Sequence, residues 1–521
     1  MTPQDYEDNL TWSVGRLFEK WVLRQPDKPA VIFDDEAVTY SELNSAANRL
    51  GHAFKAMGLK KGDRVAGMGK NALPPVALYI AAAKLGLVAV PINNRLLGNE
   101  LAYQLNNCSV SALVFDADFV GPVADALKQT DISAERVLAY GGGVDASIAQ
   151  SYDQVTAAHS DKTIEIDDPV SLMDPLSIIY TSGTTGAPKG AVTNHLQTYF
   201  KFMNMALGAD MRRDDVMLAP LPLFHSAGLF ICLTPMLLRG GTIVTRSVFD
   251  PKLFVQDCVT YRPNLTVAIT TMFKLILQHV EPGSDVFSSI RYFAGGGERT
   301  PKSLIDTLQK DYGVSLRLGF GQTENSAMAG QLDEDLGRVD TVGRAGFFSD
   351  IWIENTDGDK LPPDTIGRIM AQGPAVMSGY WEMPEKTAET IRDGVLNTGD
   401  LGIMDGEGRL ALVDREKDMY RSGGENVYPA EIEKLLMDHP KVFNAAVIGV
   451  PNADWGEVGK AFIVAQPDMT VTPQELLDYL DGKLAKFKWP KQFAFIEALP
   501  MTESGKVKKA ELKRQEAEAA S

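Results

Sequence analysis

Short apolar runs alternate with amphipathic stretches along the chain as far as about Asp400. The first run, Ala30–Phe33, is typical of a buried strand, and the stretch after it repeats apolar residues at helical spacing. Thr39 and Glu42 have the spacing of a capping box, which predicts that a helix begins there. The apolar face of this predicted helix holds Leu43, Ala47, Leu50, Phe54 and Met57.

The same order of strand and helix recurs along this part of the chain. A further helix is predicted through Ala77–Leu85, between the apolar runs "RVAGMG" and "LVAVPI". Later runs of the same kind are "ALVFDA", "LSIIYTSG", "GTIVTRS", "LTVAI", "RYFAGGG" and "SLRLGFG". Strands that alternate with helices in this way predict parallel sheets covered by helices. The sequence shows no repeat of fixed period.

The pattern changes near Asp400, where glycine and charged residues become dense and "DGEG" predicts a hairpin turn. A compact pattern follows, with helices predicted over Ala430–Met437 and Pro473–Leu484. This is enough chain for a small separate domain. We therefore predict an α/β fold, with a large N-terminal domain of stacked α/β sheet subdomains over residues 1–414 and a small α+β domain over residues 418–521. Residues 415–417 would form the junction.

Composition narrows the functional class. The 521 residues are 45% hydrophobic and 23% charged, as in a soluble globular protein, and the net charge of −17 argues against a nucleic-acid binder. Three cysteines without a CxxC pair argue against a disulfide framework. The N-terminus lacks the pattern of a signal peptide, and no apolar run could span a membrane, so we expect a cytoplasmic protein without stable membrane insertion.

A loop rich in glycine and hydroxyl residues, "YTSGTTGAPKG", follows a buried strand at Tyr180. It fails the Walker A template because Pro188 and Gly190 stand where glycine and Ser or Thr are needed. It also fails the dinucleotide template and the nucleophile elbow. Its backbone N–H groups, hydroxyls and Lys189 could still wrap a polyphosphate. A plain polar surface loop is the alternative that these residues alone leave open.

The exact order of residues resembles the phosphate loop of the adenylate-forming superfamily, which includes acyl-CoA synthetases, adenylation domains of peptide synthetases and beetle luciferase. Further stretches resemble the motifs of that family in the same order, and they cover most of the chain after Tyr180. They are "LPLFHSAG", "FAGGGE", "GFGQTE", "NTGDLG", "DREKDMYRSGGENVYPAEIE" and "TESGKVKK". The resemblance is strongest to the CoA ligases of fatty or aromatic acids.

The resemblance implies an ATP site with Mg²⁺. Thr323 would bond the α-phosphate, Glu324 and Thr184 would hold the metal, and Asp400 with Arg415 would bind the ribose. A solvated loop carboxylate and a turn aspartate are the plain alternatives for Glu324 and Asp400. The remaining residues of the implied nucleotide site are Thr181, Ser182, Gly183, Thr185, Gly186, Lys189, Gly295, Gly296, Gly297, Glu298, Gly319, Phe320, Gly321 and Gln322.

The resemblance also implies the catalytic groups and a second substrate, coenzyme A. Lys506 and His225 would act with Thr323 and Glu324, where a placed cation can stabilise the charge of the transition state. A rotation of the C-terminal domain about Lys417 would then bring the thiol to the adenylate. Coenzyme A would contact Gly423, Gly424, Trp455 and Phe487. A solvated tail lysine and ordinary packing are the alternatives for Lys506 and for the two aromatic residues.

The residues of the implied acyl pocket are small or apolar, and no carboxylate stands near "FHSAG". We therefore expect the substrate to be a carboxylic acid without an α-amino group. The residues that we expect in this pocket are His225, Ala227, Ala294, Gly319, Gly321 and Ala327, with Met272, Phe273, Phe320 and Met328 as neighbours. Alternatives are an enzyme that loads a carrier-protein thiol, a luciferase-type monooxygenase and a non-catalytic nucleotide binder. The acyl chain and the oligomeric state stay open, with a homodimer among the possibilities.

Overall fold

The structure is a computed structural model that describes residues 12–181, 187–297, 300–501 and 507–520. Its strands, in chain order, are β1 Pro29–Phe33, β2 Glu36–Thr39, β3 Arg64–Met68, β4 Val88–Ile92, β5 Val110–Asp116, β6 Val137–Tyr140, β7 Gln150–Ser151, β8 Pro175–Thr181, β9 Lys189–Asn194, β10 Val216–Leu218, β11 Thr242–Thr245, β12 Leu265–Ala268, β13 Tyr292–Gly296, β14 Leu316–Gln322, β15 Ser326–Gly330, β16 Arg344–Ala345, β17 Asp350–Glu354, β18 Gly367–Gln372, β19 Gly379–Tyr380, β20 Ile391–Arg392, β21 Val395–Met404, β22 Leu410–Arg415, β23 Tyr420–Ser422, β24 Glu425–Val427, β25 Val442–Asn452, β26 Gly456–Ala465 and β27 Gln492–Phe495.

The α-helices are α1 Val14–Arg24, α2 Tyr40–Ala56, α3 Leu73–Leu85, α4 Gly98–Asn107, α5 Val120–Leu127, α6 Tyr152–Ala157, α7 His195–Gly208, α8 Thr234–Arg239, α9 Pro251–Tyr261, α10 Thr270–Leu277, α11 Lys302–Tyr312, α12 Pro384–Thr390, α13 Pro429–Met437, α14 Pro473–Leu480 and α15 Lys509–Ala520. A π-helix over Ala227–Leu233 runs directly into α8.

Two large sheets organise the N-terminal part of the chain. One has the order β16-β15-β14-β13-β12-β10-β11-β1-β2, and its strands from β14 to β1 are parallel. The other has the order β19-β9-β8-β4-β3-β5-β6-β7, and it is parallel from β8 to β7. The parallel strands with covering helices confirm the predicted α/β class.

Two smaller sheets follow along the chain. Strands β17, β18, β21 and β20 form an antiparallel sheet, to which β22 adds beside β21. Near the C-terminus, β24, β23, β26 and β25 pair in that order, and β27 pairs with β26. Helices α13 and α14 pack against this last sheet through a core that includes Ile432, Leu436, Leu476 and Leu480. The small C-terminal unit therefore has its own core, as the predicted fold requires.

Local sequence signals predicted these helices correctly, although some of their boundaries differ from the observed ones. Thr39 and Glu42 form both arms of the predicted capping box at the start of α2. Helix α3 begins at Leu73 rather than Ala77, because prolines are tolerated in a first helical turn and here occupy it. Helix α14 ends at Leu480 rather than Leu484, two residues before Gly482, whose φ is +72°.

Helix α3 is buried on nearly all sides between the two large sheets. Every residue from Val76 to Lys84 is buried, and the helix packs with α2 against one continuous core. A helix that is apolar all round belongs in the interior of a large domain. Residues of both large sheets, such as Val31 and Ala89, belong to this same core.

Candidate active site

A cleft of about 1680 Å³ lies where the loops of both large sheets meet the C-terminal part of the chain. Its lining takes residues from β13 and β14, from the β8–β9 hairpin, from β19 and from the β21–β22 pair. Helix α13 and residues 507–509 close it from the C-terminal side. Ligands of open parallel sheets bind beyond the carboxyl ends of the strands, and this cleft has that position.

One wall of the cleft is bare backbone. Gly296 on β13 pairs with Gly319 on β14, and a Cβ added to Gly296 would stand 3.0 Å from the Gly319 carbonyl oxygen. A Cβ on Gly321 would come within 2.1 Å of the Ser326 carbonyl oxygen, so only glycine fits there. Because these positions carry no side chains, a ligand can approach the backbone closely here. Gly295, Gly297 and Phe320 line the cleft as well, and Glu298 lies outside the described residues.

The β8–β9 hairpin presents the ends of the glycine-rich loop to the cleft. Thr181 and Lys189 are cross-strand partners and both line the cleft, whereas Ser182, Gly183, Thr184, Thr185 and Gly186 lie outside the described residues. The Lys189 ammonium lies 4.1 Å from the centre of the Tyr380 ring. Partial burial lowers the pKa of Lys189 from its usual value, and the nearby Glu324 carboxylate opposes that shift.

Thr323 and Glu324 follow the end of β14 and face two other segments. The Thr323 hydroxyl lies 3.1 Å from the Ser226 hydroxyl, which joins "GFGQTE" to "LPLFHSAG". The Tyr380 hydroxyl donates a hydrogen bond of 2.7 Å to Glu324 Oε1. The Met377 backbone N–H also donates to the Glu324 carbonyl oxygen at 2.7 Å. Sequence reasoning missed Tyr380, since nothing in the spacing around "SGYW" marks it and only the pairing of β19 with β9 brings it here.

Asp400 and Arg415 line the cleft beside Gln322, at the end of β14. Arg415 Nε lies 2.6 Å from Asp400 Oδ1, and Gln322 Nε2 donates to Asp400 Oδ2 at 2.5 Å. Asp400 is buried, and its backbone N–H donates to the Thr398 hydroxyl at 3.1 Å. A buried carboxylate whose two oxygens each contact a protein donor has a fixed orientation, and it can accept hydrogen bonds from ligand hydroxyl groups in defined directions.

Around His225 the cleft is lined by Phe224, Ala227 and Ile231, and we call this part of the cleft the apolar slot. The His225 N–H donates to the Pro222 carbonyl at 3.2 Å, and Gly228 permits this tight turn because a Cβ there would lie 2.1 Å from the same oxygen. All six predicted pocket residues line the cleft, together with Met272 and Phe320. Phe273 and Met328 do not line it, because both are buried in the core. Residues of the lining that the sequence did not suggest include Asn204, Met205, Gly208, Ile231 and Tyr292.

The C-terminal part contributes a buried ion pair to the cleft. Lys509 Nζ lies 2.7 Å from Glu433 Oε1, which also accepts the Val447 backbone N–H at 2.7 Å. Burial raises the pKa of Glu433 above its usual value. Lys506 lies outside the described residues, but Val507 and Lys508 line the cleft directly after it. The described residues that directly follow Lys506 therefore reach this site.

The residues expected at a thiol site lie elsewhere. Gly423 and Trp455 are neighbours, since the Gly423 N–H donates to the Trp455 carbonyl at 2.9 Å. Gly423, Gly424, Trp455 and Phe487 all lie outside the lining of the cleft. Lys417 does line it, and burial lowers the pKa of Lys417 to about 8. Among the described residues, those expected at the nucleotide and acyl sites thus lie together around the cleft, whereas those expected to bind coenzyme A lie apart from it.

The donor set fits Mg²⁺ held partly by a nucleotide. Within the described parts of the chain, no group of three or more His, Cys, Asp or Glu side chains could hold a metal ion by itself. Mg²⁺ is usually bound by one or two carboxylates together with substrate phosphates. Glu324, with one oxygen occupied by Tyr380, offers such a carboxylate beside the β8–β9 hairpin.

Comparison with known proteins places these features in a family. Residues 18–381 match the AMP-binding enzyme family, and residues 431–506 match the AMP-binding enzyme C-terminal domain. A feruloyl-CoA synthase of Amycolatopsis sp is 37% identical over 502 residues, which cover 95% of this chain and 98% of that protein. A 2-succinylbenzoate–CoA ligase of Bacillus cereus is 33% identical over 94% of this chain and 96% of its own.

Solved structures agree over the whole length. ATP-bound MatB from Rhodopseudomonas palustris superposes with a TM-score of 0.86 at 30% identity, covering 97% of this chain and 99% of that one. The o-succinylbenzoate CoA synthetase of Bacillus subtilis, in complex with its acyl-adenylate intermediate, has a TM-score of 0.85 at 29% identity and covers 95% and 97%.

The fold, the cleft and the relatives define an adenylate-forming acid–thiol ligase that uses ATP. The chain belongs to the AMP-binding enzyme family. In the described part of the chain, no helix is both long and apolar enough to cross a membrane. Cys108, Cys232 and Cys258 are buried free thiols, as the cysteine pattern predicts.

Proposed function

We propose that this ligase activates an aromatic or arylpropenoic acid without an α-amino group and transfers the acyl group to coenzyme A. One observation carries the proposal: the glycine-walled cleft, with the braced Asp400 at its rim, continues into an apolar slot at His225. Beside His225, the lining residues Phe224, Ser226, Ala227 and Ile231 carry no carboxylate that could grip an amine. The names of the aromatic-acid relatives support the same class of substrate.

The first half-reaction joins the acid to AMP. The substrate carboxylate attacks the α-phosphorus of ATP, the bond to the β-phosphate breaks, and pyrophosphate leaves. Gly295–Gly297 would flank the adenine, Asp400 and Arg415 would hold the ribose, and Thr323 would bond the α-phosphate. The hairpin loop and Lys189 would hold the departing pyrophosphate. Lys506 and His225 would lie beside the reacting carboxylate, where a fixed cation stabilises the charge that gathers during attack.

Mg²⁺ would bind Glu324 and Thr184 together with the phosphates of ATP. When bound, it would neutralise phosphate charge and so favour loss of pyrophosphate. Glu324 suits this role because Tyr380 fixes one of its oxygens and leaves the other to a cation. The other oxygen ligands would come from the nucleotide and from water.

The second half-reaction transfers the acyl group to a thiol. The coenzyme A sulfur attacks the acyl carbon, and AMP leaves with the bonding pair of the mixed anhydride. We propose that a C-terminal domain over residues 418–521 turns about residues 415–417 relative to residues 1–414 between the two steps. The position of Gly423 and Trp455 outside the cleft supports this idea, because these residues must move if they are to meet the thiol.

Two other activities remain as alternatives, and the products that each would form distinguish them from a coenzyme A ligase. An enzyme that loads a carrier protein would release AMP with a phosphopantetheinylated carrier but not with free coenzyme A. A luciferase-type monooxygenase would consume oxygen after adenylate formation. A homodimer and a cytoplasmic location are further proposals, which sedimentation and cell fractionation would test.

The decisive experiment is a panel of carboxylic acids scored by pyrophosphate release, AMP release and thioester formation. We expect cinnamic-type and benzoic acids to exceed α-amino acids and short fatty acids, with thioester formed on free coenzyme A. Lys506→Ala should slow adenylate formation by orders of magnitude, while thioester formation from supplied acyl-adenylate continues. Lys483→Ala, at an exposed position outside the lining of the cleft, is the control. A preference for amino acids, or an inert coenzyme A, would contradict the proposal.

A further inference from the structure

Tyr380 stands between two residues of the proposed ATP site. Its hydroxyl donates to Glu324 Oε1 at 2.7 Å, and the Lys189 ammonium lies 4.1 Å from the centre of its ring. The side chain is 6% exposed and lines the cleft. A single buried side chain therefore contacts both the expected phosphate-binding lysine and the expected metal-binding carboxylate.

The backbone holds Tyr380 firmly against the phosphate hairpin. Strand β19 pairs with β9, which sets Tyr380 opposite Ala191. The Tyr380 N–H donates to the Thr387 hydroxyl at 2.8 Å, and the Trp381 N–H donates to the Gly190 carbonyl at 2.8 Å. Since β9 begins at Lys189, the Tyr380 backbone is fixed to the strand that carries that lysine.

Each contact has a defined physical effect. A donor on Oε1 restricts rotation of the Glu324 carboxylate and so fixes the direction of its second oxygen. Hydrogen-bond partners of this kind orient metal ligands in proteins. The face of an aromatic ring attracts a cation and restricts where a flexible lysine can place its ammonium group. The hydroxyl acts on the carboxylate, and the ring acts on the lysine, so the two effects can be separated by mutation.

We propose that Tyr380 is a positioning residue that orients Glu324 toward Mg²⁺ and holds Lys189 toward the ATP phosphates. This inference rests on the proposed function, because it takes Glu324 as a metal ligand. Tyr380→Phe removes the hydroxyl and keeps the ring beside Lys189. Tyr380→Leu removes both. Tyr312→Phe is a matched control, since that hydroxyl donates to the Val280 carbonyl at 2.9 Å, outside the lining of the cleft.

The test measures metal binding directly as well as activity. Mn²⁺ binding, followed by electron paramagnetic resonance with an unreactive ATP analogue, should weaken about tenfold in Tyr380→Phe. The Mg²⁺ concentration for half-maximal pyrophosphate release should rise by the same factor, while the KM for ATP at saturating Mg²⁺ stays near that of the wild type. Tyr380→Leu should raise that KM in addition, and Tyr312→Phe should match the wild type in all three measurements.

Several results would overturn the inference. Tyr380→Phe with wild-type Mn²⁺ affinity would give Tyr380 only a structural role, even if the variant melted at a lower temperature. Wild-type Mn²⁺ affinity in Glu324→Gln would remove both the metal role of Glu324 and the positioning role of Tyr380, yet leave the ligase activity standing. A wild-type protein that forms no adenylate with any acid of the panel would instead refute the proposed function itself.

Discussion

Arg415 Nε lies 2.6 Å from Asp400 Oδ1, and the two residues face each other directly across β21 and β22. In the turn between these strands, the Asp405 N–H donates to the Arg409 carbonyl at 3.0 Å and Gly408 has φ +78°. A register shift between Leu401 and Gly402 then brings Asp400 opposite Arg415. The hairpin predicted from "DGEG" and this shift together align two residues that the resemblance assigns to one ribose. The carboxylate is oriented before any nucleotide arrives, which reduces the ordering that binding requires.

Asp400→Asn should weaken ATP binding more than it slows the chemical step. The substitution keeps the shape but removes the charge that strengthens hydrogen bonds to the ribose, and it leaves the Arg415 guanidinium without its carboxylate. We expect the KM for ATP to rise about tenfold or more, in line with the loss of one charge-assisted hydrogen bond. Steady-state pyrophosphate release would measure it. Asp333→Asn is the control, because its pair with Arg317 is at the surface and Asp333 is 86% exposed. Equal KM values in both variants would contradict a ribose role.

Lys417→Pro should impair the thioester step more than adenylation. Lys417 lies in a turn in which the Asp418 N–H donates to the Arg415 carbonyl at 3.0 Å. Proline fixes φ and restricts the residue before it, so a rotation about this turn loses freedom. We expect thioester formation from supplied acyl-adenylate to slow about tenfold or more, with adenylation little changed. Lys417→Ala removes only the side chain and serves as the control. A uniform loss in both half-reactions would refute the hinge.

Gly423→Ala offers an independent test of the thiol site. An added Cβ would stand 2.7 Å from Trp455 Cε3, and Gly423 has φ +60°, which side-chain-bearing residues rarely adopt. The substitution should displace Trp455 and raise the KM for coenzyme A several-fold, about the effect of a strain of 1 kcal/mol. Pyrophosphate release without coenzyme A should be unchanged. Gly408→Ala is the control, since its φ is +78° but nothing lies within 4 Å of the added atom. A similar KM effect in both would assign the loss to backbone strain alone.

The local elements were predictable where short-range chemistry decides them. The capping box at Thr39 and the turn at Gly408 depend on residues within a few positions of each other, and both formed as the sequence indicates. The predicted start of α3 at Ala77 lies four residues after the observed start at Leu73, because Pro74 and Pro75 occupy the first helical turn, where their missing N–H groups are not needed.

Most of the site depends on contacts between distant segments, which single-sequence patterns do not contain. Ser226 meets Thr323 across 97 positions, and Tyr380 meets Glu324 across 56. The motif residues could be named from the family resemblance, but Tyr380 and Asn204 could not, because they reach the cleft only through strand pairing and helix packing. The expectation that Phe273 lies near the acyl pocket was wrong for the same reason. Phe273 follows the lining residue Met272 on its helix but faces another way, and its ring packs against the Phe293 ring with 4.9 Å between their centres.

Ala227→Phe should narrow the acyl slot and separate large acids from small ones. Ala227 lies at the start of the π-helix and lines the cleft. A phenyl group there would occupy space that an arylpropenoic tail needs, whereas acetate or propionate would still fit. We expect kcat/KM for a cinnamic-type acid to fall about a hundredfold, because overpacking and lost contacts each cost about 1–3 kcal/mol. Activity on propionate should stay within a few-fold. Val259→Phe, at a 65% exposed position, is the control. An unchanged acid profile would move the acyl site away from Ala227.

His195 should make the fold less stable as the pH falls. Its ring is fully buried, Nδ1 accepts the Val14 N–H at 3.0 Å, and burial lowers its pKa to about 4. The unfolded chain therefore takes up the proton at a higher pH than the folded chain, so stability is lost as the pH falls from about 6.5 toward 4. We expect a loss of about 3 kcal/mol at pH 4 relative to pH 7, beyond that of His195→Gln, whose amide can accept the same bond without titrating. Urea unfolding across this range would measure the difference. His279→Gln, at an exposed position, should retain the full pH dependence, and parallel curves for the wild type and His195→Gln would show that His195 does not cause it.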